Sequence, residues 1–151
     1  MTDTTFAYTT YIAATPEKLW EALTSSEYTE KYFFGSSIQS DWQVGSSITY
    51  SRNGEVTDYG VILKCELLRL LSFTWTYVVD KAVREQPSKV TFALTTLDSA
   101  VKLTLKHEDL LPADIVDQED TFEGINNGWP AILSNLKSLL ETGKTLPPIS
   151  I

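Results

Sequence analysis

At 151 residues the chain is the length of one domain, long enough to bury roughly two-thirds of its surface around a proper core. Its net charge is −8, with 12 Lys and Arg scattered among 20 Asp and Glu. Nucleic acid and anionic membranes, which both need basic patches, are thereby excluded as expected partners.

The polar start MTDTTFAY has neither the basic nor the apolar region of a signal peptide. The single cysteine, Cys65, has no internal disulfide partner and fits a reducing compartment. A cytoplasmic protein is expected. Phe6 to Ala13 is rich in β-branched and aromatic residues and predicts a strand. Thr15-Pro16-Glu17 then reads as a helix start: a hydroxyl cap, proline in the first turn and an acid beside it. Leu19, Trp20 and Leu23 would form the buried face of that helix. Ser26 and Glu27 open a second short helix carrying Tyr28, Tyr32 and Phe33, which Gly35 can close.

From Ile38 the period changes to two. Ile48, Tyr50 and Arg52 share one face and run into Asn53-Gly54, a strong hairpin signal. Tyr59, Val61, Leu63 and Cys65 are expected on one face of the next strand. Lys64, Glu66 and Arg69 interrupt the apolar stretch from Val61 to Val79, so it is not expected to insert in a membrane. Leu71, Phe73, Trp75 and Tyr77 alternate with Ser72, Thr74 and Thr76. After the turn Gln86-Pro87-Ser88, Val90, Phe92 and Leu94 alternate with Thr91, Ala93 and Thr95. Leu97-Asp98-Ser99 turns into Val101, Leu103, Leu105 and His107. Such alternation predicts an antiparallel sheet with one apolar face and one wet face.

The run Thr121 to Thr142 has the helical period instead. Phe122, Ile125, Trp129, Ile132, Leu133, Leu136, Leu139 and Leu140 fall in a stripe roughly 120° wide. At about 1.5 Å per residue this helix reaches over 30 Å, enough to cross a small sheet. The tail beyond it, with Gly143, Pro147 and Pro148, is expected to fray. The order predicts an α+β fold: a strand, two short helices, a meander of about six strands, and one long helix lying across the sheet.

Four blocks in this order resemble a known family. They are Ala14 to Gly35 (ATPEKLWEALTSSEYTEKYFFG), Gly60 to Trp75 (GVILKCELLRLLSFTW), Leu103 to Leu110 (LTLKHEDL) and Gly128 to Glu141 (GWPAILSNLKSLLE). Together they resemble the START-like, Bet v 1-like superfamily, and within it proteins related to the C-terminal domain of the Hsp90 ATPase activator. The resemblance implies a helix-grip fold in one domain, residues 1–151: a curved antiparallel sheet of six to seven strands wrapped around the last helix, with an apolar cavity between. Departures are the turn Glu66-Leu67-Leu68-Arg69-Leu70, which usually contains proline in the family, and Asn126-Asn127-Gly128-Trp129. The latter is not the Asn-x-x-Asn-Trp-His-Trp motif of the activator's separate N-terminal domain.

By parity, the residues expected to face the helix are Tyr50, Tyr59, Leu63, Phe73, Trp75, Phe92, Leu103, Phe122, Ile125, Trp129 and Leu133, with His107 at the rim. They read either as ordinary core or as the wall of a ligand site, which needs apolar surface and a few polar tips. His107, the only histidine, has no evident nucleophile or carboxylate partner and reads as a satisfied rim residue. Asp114, Asp117, Glu119, Asp120 and Glu123 lack calcium-loop spacing and read as a solvated helix start. Cys65 reads as a buried inert thiol. Neither a zinc pattern nor a phosphate loop is present, so no metal or cofactor is expected. The expected partner is a small apolar or aromatic ligand, bound by a monomer or homodimer. Two other functions stay open: a chaperone partner met through the outer surface, and cyclase- or hydrolase-type catalysis in the cavity.

Overall fold

The computed structural model describes residues 4–80 and 82–147. The expected fraying beyond Pro147 lies outside them. Seven strands form one antiparallel sheet: β1 (Thr4–Ile12), β2 (Ser37–Ser40), β3 (Ser47–Arg52), β4 (Glu55–Glu66), β5 (Leu70–Tyr77), β6 (Ser88–Leu97) and β7 (Ala100–Leu110). Their spatial order is β1-β7-β6-β5-β4-β3-β2. Only β1 is displaced from a simple meander. It crosses to the far edge to pair with β7, with Tyr8 opposite Leu105 and Ile12 opposite Val101. The two short helices α1 (Pro16–Thr24) and α2 (Ser26–Tyr32) fill the crossover, and α3 (Ile125–Thr142) packs over the sheet. This is the helix-grip α+β architecture.

Local chemistry explains the punctuation. Thr15 caps α1, its hydroxyl accepting the amide of Lys18 at 3.1 Å, and Pro16 occupies the first turn. Asn53 and Gly54 both have positive φ, at 55° and 81°, the two-residue turn whose twist suits a hairpin. Ser26 stitches α2 to β2 by donating to the carbonyl of Ile38 and accepting its amide, at 2.6 and 3.1 Å.

Facing residues of β5, β6 and β7 follow the expected parity. Leu71, Phe73, Val90, Phe92, Leu103 and Leu105 are buried beneath α3, whose Trp129, Ile132, Leu133 and Leu136 close the core from above.

Strand β4 reverses the expectation. Tyr59 and Leu63 point outward, 48% and 38% exposed, while Gly60 and Ile62 face the core. The more apolar alternate set of β4 favours the inner face, but the inner position against Thr74 has no room for a side chain. A Cβ on Gly60 would lie 1.7 Å from the carbonyl oxygen of Thr74. Glycine therefore takes the inner place, and the apolar residues on either side of it are turned to the outer face.

The last helix is also shorter than its periodicity suggests. Gly124, at φ 88°, breaks the chain direction just before Ile125. Phe122 thus lies outside α3 and is 41% exposed. Pro130 sits within the helix, where it removes the bond to the carbonyl of Asn126.

Candidate functional site

Under the middle of α3 the interior is filled by aromatic rings. Trp129 reaches down from the helix, its ring centre 5.6 Å from that of Trp75, 5.7 Å from Phe33 and 5.9 Å from Phe92. Tyr50 closes the cluster, 5.0 Å from both Phe33 and Trp75. Tyr50, Phe73, Phe92, Leu103 and Leu133 are therefore packed core. Beside the cluster a small apolar recess of about 110 Å³ opens between Phe33, Trp75, Ile125, Trp129 and Ile132.

The larger open volume, about 640 Å³, lies toward the N-terminal end of α3. Its apolar wall comprises Trp75, Leu110, Phe122 and Ile125. Arg52, Asp58, Asp80, Arg84, Ser88, His107 and Asp114 supply polar groups. The sequence leads to the expectation of an apolar cavity between the sheet and α3. Large rings occupy the centre, and the cleft beyond them has a mixed lining. Of the twelve expected site residues, Trp75, His107, Phe122 and Ile125 line this cleft, and Trp129 joins Trp75 and Ile125 at the recess. Tyr59 and Leu63 belong to neither.

His107 is fully buried. Its Nδ1 accepts the indole N–H of Trp129 at 3.0 Å, which requires the proton of the neutral ring on Nε2. Nε2 then donates to Ser88 Oγ at 2.9 Å, and the Ser88 hydroxyl donates to the carbonyl of Trp75 at 3.0 Å. Burial lowers the histidine to about 4, so the ring is neutral at physiological pH.

One wall of the cleft is held by an ion-pair latch. Arg84 clasps Asp114 with two bonds of 2.8 Å and donates through Nε to Asp80 at 2.6 Å. Asp114 also accepts the amide of Leu111 at 2.8 Å. These contacts fasten the β5–β6 connection to the segment after β7. Arg84 holds the Asp114 and Asp80 carboxyls below their ordinary range. Asp114 is thus a structural anchor rather than a solvated helix-start acid, unlike exposed Asp117, Glu119, Asp120 and Glu123. The same segment is pinned to α3, where Asn126 accepts the amide of Val116 at 2.9 Å and donates to its carbonyl at 3.0 Å.

On the opposite wall a bulge after Tyr50 sets Asp58 directly across from that inward residue. Burial raises the Asp58 carboxyl to about 6, although Thr57, Arg52 and Trp75 favour its ionised form. Thr57 donates to Asp58 Oδ2 at 2.8 Å. Arg52 shares the face of Ile48 and Tyr50 in the alternation, and an arginine closing an apolar parity is the one sequence signal of this polar wall. Asp58, Asp80 and Arg84 carried no such signal, because a bulge and a long connection bring them there. Cys65 is only half-buried, and partial burial raises its thiol. No cluster of three metal-ligating side chains occurs among the described residues, and no helix among them is long and apolar enough to cross a membrane.

The fold recurs in solved structures. The Aha1 dimer from Colwellia psychrerythraea is 22% identical, with a TM-score of 0.71 over 93% of this chain and 98% of that one. Protein MLL2253 from Mesorhizobium loti is 28% identical, with a TM-score of 0.72 over 91% and 96%. The HSP90 activator PFC0360w from Plasmodium falciparum is 22% identical, with a TM-score of 0.68 over 90% and 95%. No curated protein matches the chain in sequence. The family model described as activator of Hsp90 ATPase homolog 1-like protein matches residues 13–141, which is most of the chain, and the protein belongs to that family.

Proposed function

We propose that this chain is a small-molecule-binding module whose ligand lies in the cleft beside the N-terminal end of α3. The observation that carries the reading is the cleft itself. A volume of about 640 Å³ bounded by Trp75, Leu110, Phe122 and Ile125 with a few polar groups has the size and chemistry of small-ligand sites. Both ring nitrogens of His107 are engaged, which favours binding over acid–base chemistry at that residue. The test is titration with the neutral apolar fluorophore N-phenyl-1-naphthylamine. One probe should bind per chain, and Trp75→Gln should weaken it several-fold. Failure of the probe to bind the folded protein overturns the reading.

A second reading, engagement of a chaperone, draws on one observation: Tyr59, Val61 and Leu63 stand exposed along the outer face of β4. Under it, the chain would raise the ATP turnover of an Hsp90, and Tyr59→Ser with Leu63→Ser would abolish the increase. An unchanged turnover on adding the chain removes this reading.

A further inference from the structure

The two arginines of the cleft differ in one respect. Arg84 is matched by two carboxylates and makes three charge-assisted bonds. Arg52 forms no ion pair within 4.0 Å among the described residues. Its Nη2 reaches only Ser36 Oγ, at 3.5 Å, and its buried Nε has no hydrogen-bond partner. The residue ends β3 on the side of Ile48 and Tyr50, so its guanidinium enters the cleft from the sheet. A buried donor left unmade is costly, more so when charged, and a planar guanidinium suits a carboxylate or similar oxyanion.

We infer that Arg52 is the anchor for the anionic group of the ligand, and that the ligand is a small amphipathic acid. Its aromatic or aliphatic body would lie on Trp75, Phe122 and Ile125. This deepens the small-molecule reading above and rests on it. The other charged groups facing the cleft do not cancel the anchor. Asp80 and Asp114 are held by Arg84, and Glu123 is exposed at the mouth. Asp58, the acid on the same wall, has a carboxyl that burial already biases toward the neutral form. At about 6 that carboxyl is still mostly ionised at pH 7, but an anion bound beside it would raise it further, and the protonated form then donates a hydrogen bond where the charged one would repel. The net charge of −8 is screened beyond about 10 Å at 0.1 M salt, so it opposes encounter more than the bound state.

The test compares two probes that share an N-phenylnaphthylamine body: neutral N-phenyl-1-naphthylamine and its sulfonated relative 1-anilinonaphthalene-8-sulfonate. The wild-type protein should bind the anion at least tenfold more tightly, with mutual displacement at one site. Arg52→Gln and the bulk-preserving Arg52→Met should each remove that preference while leaving affinity for the neutral probe within twofold. Retained neutral-probe binding reports an intact cleft in each variant. Equal wild-type affinities, or a preference that survives in either folded variant, overturn the anchor alone. Equal loss of both probes also overturns it, since Arg52 then only shapes the cleft. If the neutral probe does not bind the wild-type protein, the small-molecule reading falls together with the anchor.

Discussion

The indole N–H of Trp129 on α3 donates to Nδ1 of His107 on β7, 3.0 Å away and wholly inside the protein. This bond ties the helix to the sheet at the point where the aromatic core gives way to the cleft. It also fixes the tautomer through which His107 reaches Ser88.

Two variants separate the bond from the packing around it. Trp129→Phe keeps much of the ring but orphans Nδ1, and should cost about 1–3 kcal/mol. Trp129→Ala also empties the contacts with Phe33, Trp75 and Phe92, and should cost about 3–5 kcal/mol. Urea denaturation at pH 7 gives both values. If Trp129→Phe were neutral, the indole would be only a filler.

The same histidine predicts an acid dependence. Its pKa falls from an ordinary 6.5 to about 4 in the folded state. Above about 6.5 neither state binds the proton, and His107 has no effect. Between about 6.5 and 4 only the unfolded chain protonates, so stability falls as pH falls, by about 3 kcal/mol in full. Asp58 acts in the opposite direction. Its carboxyl is raised from 3.8 to about 6, so the folded state takes the proton first and gains stability between about 6 and 3.8. The two effects overlap and partly offset each other. Asp58→Asn should therefore be more stable than the wild type at pH 7, yet lose stability more steeply between pH 6.5 and 4. Denaturation midpoints at three pH values check the slope. An unchanged slope in the variant would place Asp58 in water.

Much of this fold was legible because local chemistry and hydrophobic period agree. Thr15-Pro16, Asn53-Gly54 and the alternation of β5 to β7 each state an element boundary or face with a short-range cause. The failures have longer-range causes. The outward turn of Tyr59 and Leu63 depends on the crowding of Gly60 against Thr74, a residue on another strand. The place of Phe122 depends on a backbone reversal at Gly124. The candidate cleft was legible only in part of its apolar lining, through Trp75 and Ile125. Its polar half needs a bulge to turn Asp58 and two chain segments to bring Arg84 to Asp114, neither of which leaves a period in the sequence.

The corrected face of β4 can be checked directly. Ile62 is buried and pairs with Phe73, so Ile62→Ala should cost about 2–5 kcal/mol. Leu63→Ser, one residue on, should change stability by no more than about 0.5 kcal/mol. Guanidinium denaturation of the two variants is decisive. A reversal of the two values would restore the original parity.

The latch between Arg84 and Asp114 is the remaining device that shapes the cleft. Both side chains are about four-fifths buried, 20% and 18% exposed, and their contact is bidentate. A pair of this geometry differs from a surface ion pair in two ways: its charges are shielded from water, and its planar fork limits the entropy lost in holding it. Removing one partner also strands the other. Arg84→Met leaves Asp114 with only the Leu111 amide, and Asp114→Asn leaves Arg84 with Asp80. Each single variant should lose about 1–3 kcal/mol, and the double variant less than their sum, because the second change removes the stranded charge left by the first. A double-mutant cycle by urea denaturation measures that coupling, expected at about 1 kcal/mol or more. Neutral-probe affinity should fall in the same variants, since the latch holds the segment bearing Ala113 and Val116 against the cleft. Additive stability losses with unchanged probe binding would show that the β5–β6 connection and the segment after β7 stay in place without the ion pair.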